Sequence, residues 1–409
     1  MFAESALSAA AVPEFLVRFA GSMDGAPVAG LDAGAGLELL EDVMAQVGTG
    51  GTPGVDHPVA AVLVLCAVAV VAGIRSIRAI AEHVGDTPAH LVSMLYRRCG
   101  VQGRRPPSKS TIWRAVTGAD PVAVDVAFGA WLGRRHLGHA GPDVADDPRP
   151  RTPPLISVDG KTVRGARTDA AQAPHLLAAA VAGVVLAQAE IGVKSNEIPG
   201  FAPLLDQIDI AGHVVVADAL HTQRQHATYL HGRDADFVFT VKGNQPNLYA
   251  ALDGLNWSGP WQHQSLDRGH GRIEQRLTML LPAPPNLPFP HVEQVWLQER
   301  KVTGLGGEPL SHLGVLGVTS LDADHADAAA IAAAVRGEWG IEVLHWKRDV
   351  VFGEDASKVR TRSGPRIMAS LRNLAIGALH QAGRDDTAAA TRWAARRPER
   401  PFTILRLTS

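Results

Sequence analysis

LISVDGKTVRG (residues 155–165) begins with a short β-branched run, and an acidic residue, Asp159, closes that run. HVVVADALHTQ (residues 213–223) repeats the arrangement and places Asp218 directly after its own apolar run. Taken singly, each acid is more often a turn former at a strand end than a metal ligand. Two such strands lying side by side would put both carboxylates at one edge of a sheet, and hard divalent cations prefer carboxylate oxygens. The repetition therefore favours a metal site.

A third candidate acid lies in RGEWGIEVLHW (residues 336–346), which has helical spacing. Glu338 and Glu342 stand one turn apart on one stripe of this helix, so either could be the ligand. A solvated acidic stripe is the alternative interpretation. The helix is apolar nearly all round, which is typical of a helix packed on several sides, where an unpaired acid is costly. A bound cation would remove that cost, and two cations held by such acids can drive phosphoryl transfer.

The amino-acid composition says more about the cellular location of the protein than about its function. Only two cysteines, Cys66 and Cys99, occur in 409 residues, so neither a disulfide framework nor a cysteine-ligated metal site is expected. The N-terminus lacks the basic segment and apolar core of a secretory signal peptide. These features predict a reducing, cytoplasmic location. The net charge of −2, from 39 basic and 41 acidic residues, does not decide for or against a nucleic-acid partner.

One long apolar run could be either a membrane span or a buried helix of a globular domain. Residues 58–74 (PVAAVLVLCAVAVVAGI) are 17 residues without a charge. A membrane span usually needs about 20 residues, and charged helical sequence continues the run at once. A buried helix is therefore predicted.

The first part of the chain reads as a helical unit between two weakly patterned segments. Residues 1–35 are predicted to be flexible, residues 36–138 carry helical periodicity, and residues 139–154 form a Pro-rich linker. Within the helical unit, RRCGVQGRRPPSKSTIWRAV (residues 97–116) places six basic residues and several hydroxyls before a short helix. Such a helix start suits backbone phosphate, so DNA contact is weighed equally against a surface loop and packing helix.

The second part of the chain, residues 155–382, reads as an α/β unit. Its elements are predicted in the order β-β-β-α-β-α-β, with a β-rich insertion at about residues 250–325. A helix bearing Glu342 is expected to begin near residues 326–329, and a strongly patterned helix follows it. Residues 383–409 are predicted to be a basic, irregular tail. The fold class is therefore α/β, preceded by an all-helical domain.

Basic and amide side chains recur around the three candidate acids. For any one of them an ordinary charged surface is the better interpretation, but the recurrence favours a groove that holds DNA phosphates and sugars. The candidate DNA-binding residues are Lys161, Arg164, Lys242, Asn244, Gln245, Arg272, Lys347, Arg348, Arg360 and Arg362. His221 and His226 stand five residues apart and do not share a helix face well, so no role is predicted for them.

Six blocks in this order resemble bacterial insertion-sequence DDE transposases, and the branch containing the H-repeat-associated proteins is the most similar. The resemblance covers roughly residues 38–380. The blocks are VDGKTVRG, VVVADALHTQ, DFVFTVKGNQPNL, HGRIEQR, WGIEVLHWKRDVVFGEDASKVRT and GPRIMASLRNLAI.

The resemblance implies an RNase H-like catalytic core with a β-rich insertion before its last catalytic helix. It also implies that Asp159, Asp218 and Glu342 form a catalytic triad that binds two Mg²⁺ ions, with Mn²⁺ as a substitute. It selects Glu342 over Glu338, because the acid of the WGIE block matches. Glu338 departs from the family pattern, in which His is common at this position, and Val343 stands where Asn is common. The implied arrangement has the three carboxylates clustered and Glu338 turned elsewhere.

The activity implied by the resemblance is metal-dependent strand cleavage at element ends followed by strand transfer into target DNA. The implied partner is double-stranded DNA, bound by a homodimer at the bacterial nucleoid. Two alternatives stay open. One is an RNase H-like nuclease that cleaves without joining, and the other is a decayed transposase that only binds DNA.

Overall fold

A computed structural model describes residues 38–47, 57–102, 105–137, 153–169, 171–192, 196–269 and 271–408. The predicted flexible segment 1–35 lies outside the described residues, as does most of the predicted linker 139–154.

Within the described residues, six helices precede the first strand, as the periodicity predicts. They are α1 (Glu38–Val47), α2 (Val59–Val71), α3 (Ile77–Gly85), α4 (Ala89–Arg98), α5 (Lys109–Gly118) and α6 (Pro121–Leu137). Ser76 caps α3 by accepting a hydrogen bond from Ala79 N at 3.2 Å, and Ser108 caps α5 through Thr111 N at 3.3 Å. These hydroxyls satisfy backbone groups that would otherwise be unpaired at each helix start.

The long apolar run forms a buried helix. Every residue of α2 after Val59 is buried, because other helices surround it on all sides. Within the part of the chain that the structure describes, no helix is long and apolar enough to cross a membrane.

The strands of the described ranges form one mixed sheet of nine, in the order β3-β2-β1-β4-β5-β9-β8-β7-β6. The strands are β1 (Leu155–Thr162), β2 (His175–Val181), β3 (Val184–Ile191), β4 (Val214–Ala217), β5 (Asp236–Val241), β6 (His263–Gly269), β7 (Arg272–Pro282), β8 (Gln294–Gly304) and β9 (Pro309–Thr319). β4 pairs in parallel with β1 and with β5, and the other neighbours are antiparallel.

The predicted order β-β-β-α-β-α-β is confirmed over β1 to β5. Helices α7 (Phe201–Leu205) and α8 (Arg224–His231) make the two crossovers. The β2–β3 turn falls at Ala182 and Gly183, whose φ values of 48° and 77° suit a tight hairpin.

The region predicted to be a β-rich insertion contains four strands, and they extend the same sheet. It comprises β6 to β9 and follows helix α9 (Pro246–Asp253). β9 pairs with β5 in an antiparallel ladder that matches Val238 with Thr319. No loop separates the insertion from the first five strands in the sheet, because the hydrogen-bonded ladders run on from β5 through β9.

The helix predicted near residues 326–329 begins at Ala328 but is broken near its middle. Helix α10 (Ala328–Gly337) is capped by Asp327 and followed by α11 (Trp339–Trp346). A turn of π-helix (Lys347–Val351) continues α11. The patterned helix predicted beyond it is α12 (Gly364–Gln381).

The C-terminal segment is not irregular as predicted. It forms α13 (Thr387–Ala395) and α14 (Glu399–Ile404), and α14 packs against α2. Phe402 and Leu405 are fully buried, and burial of these apolar side chains stabilises the segment although its arginines dominate the sequence.

The N-terminal helices share one hydrophobic cluster with α12 and the C-terminal helices. A buried polar contact also joins α6 to α12, because Arg366 Nη2 lies 2.8 Å from Asp125 Oδ2. The domain boundaries at 36–138 and 155–382 stay predictions. The shared cluster nevertheless means that α6 and α12 position one another.

Candidate active site between two parallel strands and a helix

Asp159 and Asp218 lie side by side on neighbouring parallel strands. The ladder between β1 and β4 ends at the pair Val158 and Ala217, and the two acids are the next residue on each strand. β1 itself continues past Asp159, because it still pairs with β2. Asp159 is therefore within its strand, whereas Asp218 directly follows its strand.

Local hydrogen bonds orient the two aspartates. Asp218 is exposed, and its Oδ1 accepts from Leu220 N at 2.8 Å, which starts a turn of 3₁₀ helix at Ala219–His221. Asp159 Oδ1 accepts from Gly160 N at 2.8 Å. Asp159 Oδ2 lies 3.3 Å from Nδ1 of His345 on α11. Each carboxylate keeps oxygen lone pairs that these bonds do not use.

Helix α11 brings two further carboxylates to these aspartates. Loss of hydration among its neighbours raises the pKa of Glu342, and the charge of Asp159 raises it further. Part of the residue is still open to solvent. Burial together with the charges of Asp218 and Glu342 raises the pKa of Glu338 to about 7. Charges that act on one another in this way lie close together.

The prediction that Glu338 turns elsewhere is therefore wrong. Glu338 sits at the break between α10 and α11, one turn before Glu342. At that position its carboxylate is within range of both aspartates as well as Glu342. Glu338 is thus within electrostatic range of Asp159, Asp218 and Glu342, and Glu338 and Glu342 both remain candidate ligands.

Lys242 lies beside the carboxylates, at the end of β5. Its charge lowers the pKa of both Glu338 and Glu342, but burial and the neighbouring acids outweigh it. Lys242 is exposed, so its ammonium group is also accessible to a phosphate.

The donor chemistry of the site suits a hard divalent cation. The four carboxylates supply only oxygen, and their mutual repulsion would be relieved by a bound cation. Among the described residues, no three acidic, histidine or cysteine side chains are already close enough to hold a metal ion. Binding would therefore require these side chains to draw together.

Replacing Glu338 with Gln should stabilise the metal-free protein at alkaline pH. The folded chain binds the Glu338 proton more tightly than the unfolded chain, since the pKa rises from 4.5 to about 7. The free energy of unfolding should therefore fall as pH rises from 4.5 to 7. Above pH 7 the ionised Glu338 carboxylate continues to destabilise the folded protein. We expect Glu338→Gln to gain about 1–2 kcal/mol at pH 8 and little at pH 4.

Urea unfolding in EDTA at the two pH values measures this difference. Glu82→Gln, on the exposed face of α3, is a control that should change stability little at either pH. A Glu338→Gln protein no more stable than the parent at pH 8 would show that burial and the neighbouring acids do not raise the pKa of Glu338.

Two of the predicted DNA-binding residues are instead buried in ion pairs. Lys161 is 9% exposed, and its Nζ lies 2.6 Å from Asp349 Oδ2. Arg348 is fully buried, with Nη2 2.7 Å from Glu354 Oε1. Burial in these ion pairs disfavours a DNA contact by Lys161 or Arg348, because a buried charge needs its partners inside the protein.

The two predicted amides have structural partners next to Asp218. Asn244 donates to the Ala219 carbonyl at 2.6 Å, and Gln245 donates to the Thr222 carbonyl at 2.8 Å. They fix the loop that follows β4.

The remaining predicted cations differ in their exposure. Arg164, Arg360 and Arg362 are exposed, and Arg360 also donates to the Gly165 carbonyl at 3.0 Å. Arg272 is half-buried on β7. Burial lowers the pKa of Lys347, and the charges of Asp385 and Asp386 oppose that shift.

Sequence reasoning missed the residues that support the aspartates. His345 shares the helical stripe of Glu338 and Glu342, and that spacing was the available signal for it. Glu197, His175 and His221 form a hydrogen-bonded group beside Gly160. Their separation in the chain offers no local pattern.

Comparison with known proteins identifies the family. A family model described as "Transposase DDE domain" matches residues 150–377, which is more than half of the chain. The chain belongs to the DDE transposase family. A second model, described as "DDE_Tnp_1-associated", matches residues 51–132, within the N-terminal helices. The family resemblance found in the sequence is thereby confirmed, and divalent metal ions are general cofactors of DDE transposases.

The DDE transposase chain is similar to several bacterial proteins. It is 29% identical over 290 residues to "Putative transposase YncI" of Escherichia coli O157:H7, which covers 67% of this chain and 70% of that protein. It is 27% identical over 340 residues to "H repeat-associated putative transposase YhhI" of Escherichia coli K12, covering 80% and 85%.

A solved structure of a piggyBac transposase synaptic complex with hairpin DNA also aligns with the chain. The alignment covers 91% of this chain and 79% of that one, with a TM-score of 0.38 and 10% identity. Similarity at this level does not establish a shared fold.

Proposed function

We propose that this DDE transposase cleaves DNA at the ends of a mobile element and transfers the freed strand into target DNA. The observation that carries the proposal is the placement of Asp159 and Asp218 on adjacent parallel strands, facing the carboxylates of α11. Parallel neighbours bring the two carboxylates to the same end of the sheet, as a phosphoryl-transfer site requires.

The core of the sheet supports an RNase H-like arrangement. In β3-β2-β1-β4-β5, an antiparallel meander is followed by two strands parallel to the first. In this proposal β1 and β4 supply the two aspartates, and α11 packs against β1 to supply the glutamate.

The carboxylates of Asp159, Asp218 and Glu342 would hold two Mg²⁺ ions, for which Mn²⁺ substitutes. When bound, such ions lower the pKa of an attacking hydroxyl and offset charge on the phosphate. Water attacks the phosphodiester in line, so that a P–O bond forms as the bond to the 3′-oxygen breaks. The 3′-hydroxyl released in this way then attacks a target phosphodiester and displaces its 3′-oxygen.

The duplex would lie across the exposed cations around the site. In this proposal the exposed side chains of Arg164, Arg360 and Arg362 would contact DNA phosphates. Lys242 beside the carboxylates and the half-buried Arg272 on β7 would do the same. Contacts to phosphate position DNA without reading its sequence, so binding should weaken steeply with salt. We propose that two copies act together on the paired element ends, in the cytoplasm at the nucleoid.

A strand-transfer assay tests the proposal. The purified chain is incubated with Mg²⁺, labelled element ends and a supercoiled target plasmid, with EDTA as the control. Cleaved ends together with joined products are expected. Cleavage without joining would replace the proposal with a nuclease, and DNA binding without cleavage would indicate a decayed transposase.

A further inference from the structure

A single glutamate bridges two histidines beside the candidate active site. Glu197 Oε1 lies 2.7 Å from His175 Nε2, and Glu197 Oε2 lies 3.1 Å from His221 Nε2. His221 is fully buried, and the Glu197 side chain is 17% exposed. Both carboxylate oxygens are thus engaged with side chains that come from different parts of the sheet.

Each histidine is attached to one of the two strands that carry an aspartate. His175 opposes Thr162 of β1 in the antiparallel ladder, and its Nδ1 is 2.9 Å from Thr162 Oγ1. His221 belongs to the 3₁₀ turn that Asp218 starts, and its backbone N donates to the Asp218 carbonyl at 3.0 Å. Glu197 therefore connects the β1 side of the site to the β4 side.

The bridge rests directly on the backbone next to Asp159. A Cβ atom at Gly160 would lie 2.2 Å from Glu197 Oε1 and 2.6 Å from His175 Nε2. Such distances are far inside van der Waals contact, so a residue larger than glycine at position 160 would displace the bridge. Glu197 thus fills the space that the absent side chain leaves.

Packing on the other side holds the bridge in place. Phe201 stacks on His226 with ring centroids 4.1 Å apart, and it lies 5.2 Å from the His221 ring. His226 Nδ1 is 3.0 Å from the His221 carbonyl, and its Nε2 is 3.0 Å from the Ile198 carbonyl. The histidine of the β4 side is therefore fixed both by a ring contact and through its backbone.

We propose that Glu197 is a positioning residue that sets the separation of Asp159 and Asp218 by joining His175 to His221. This inference rests on the proposed function, in which these two aspartates share metal ions. The ladder between β1 and β4 ends just before the aspartates, so no backbone pair between these strands holds them beyond that point. Ligands generally need to be held within about 0.5 Å of their productive positions, and outer residues supply that restraint.

Mn²⁺ binding to the full chain tests the inference without relying on catalysis. The free-ion signal in electron paramagnetic resonance gives the Mn²⁺ affinity of the parent, Glu197→Ala and Glu197→Gln proteins. We expect Glu197→Ala to weaken binding by about 10-fold or more, as is typical when an outer partner of a ligand is lost. Glu197→Gln should retain most of the affinity, because its amide still reaches both imidazoles.

A matched control lies at the opposite end of the parallel strands, away from the aspartates. Asp322 Oδ1 is 2.6 Å from His325 Nδ1, and this carboxylate–histidine pair follows β9 near the start of β5. Asp322→Ala should leave Mn²⁺ binding unchanged. Circular dichroism melting of every variant shows that affinities are compared among folded proteins.

Two further variants keep the test decisive. Gly160→Ala leaves Glu197 intact but displaces it, and it should weaken Mn²⁺ binding in the same direction. If Glu197→Ala does not fold, His175→Gln takes its place, with the same expected loss. Unchanged Mn²⁺ affinity in folded Glu197→Ala, or in its replacement, would overturn the inference.

The parent protein separates this inference from the proposed function. If the parent binds no Mn²⁺, or if Asp218→Asn binds it as well as the parent, the proposed function itself fails. If Asp218→Asn abolishes binding while Glu197→Ala does not weaken it, only the role of Glu197 fails.

Discussion

Asp218→Asn should abolish DNA strand cleavage while leaving the fold intact. In the proposed site the Asp218 carboxylate is a shared metal ligand, and a neutral amide holds a divalent cation far less well. We expect the cleavage rate to fall by at least ~1,000-fold, which corresponds to about 4 kcal/mol of lost transition-state stabilisation. The structural task of Asp218 is one hydrogen bond from Leu220 N at 2.8 Å, and the Asn carbonyl can accept it equally.

The measurement is single-turnover cleavage of labelled element ends in Mg²⁺, beside thermal unfolding of each protein. Asp209→Asn is a close structural control, because Asp209 Oδ1 also accepts from an amide two residues ahead, Ala211 N at 3.1 Å. The control should cleave like the parent. Cleavage by Asp218→Asn at the parental rate would place the metal site elsewhere.

Glu354→Ala should be the most destabilising single change among the buried charges. Glu354 is fully buried and faces two buried arginines, with Arg348 Nη2 at 2.7 Å and Arg372 Nη1 at 2.9 Å. Removing the carboxylate leaves two cations in the interior without their shared partner. Breaking a buried ion pair in this way typically costs about 3–5 kcal/mol.

Urea unfolding at pH 7 measures the loss. Glu82→Ala, which breaks the exposed Arg78–Glu82 pair on α3, should cost less than about 0.5 kcal/mol. The arginine charges lower the pKa of Glu354 although burial opposes them, so its contribution is present above pH 4.5 and lost on further acidification. A Glu354→Ala loss as small as that of the control would show that water reaches the arginines.

The arrangement of the two aspartates could be predicted because it follows from local pattern and strand order. The β-branched runs of β1 and β4 each end on an acid, and a helix lies in the connection between them. Such a connection gives parallel neighbours with both acids at the same end of the sheet. The sequence pattern of these two runs was sufficient to predict that the two acids are neighbours. The same logic predicted the β-rich insertion, since its alternation is visible in the sequence.

The positions of Glu338 and of the buried cations could not be predicted in this way. Periodicity puts Glu338 and Glu342 on one stripe, but which of them approaches the aspartates depends on how the helix packs against the sheet. Lys161 pairs with Asp349, 188 residues away, and no local pattern reports such a partner. Basic residues close to acids in the sequence suggested a DNA-binding surface. In the structure, Lys161 and Arg348 instead form ion pairs within the protein.

The ladder between β5 and β9 has a mechanical consequence. Strands joined by a continuous set of backbone hydrogen bonds bend and twist together, so β6 to β9 cannot swing about a flexible joint at β5. A DNA segment gripped on the inserted strands would be delivered to the carboxylates at one fixed angle. Any reorientation between cleaving one strand and joining another must then come from the DNA or from a second copy of the protein, and not from movement of β6 to β9.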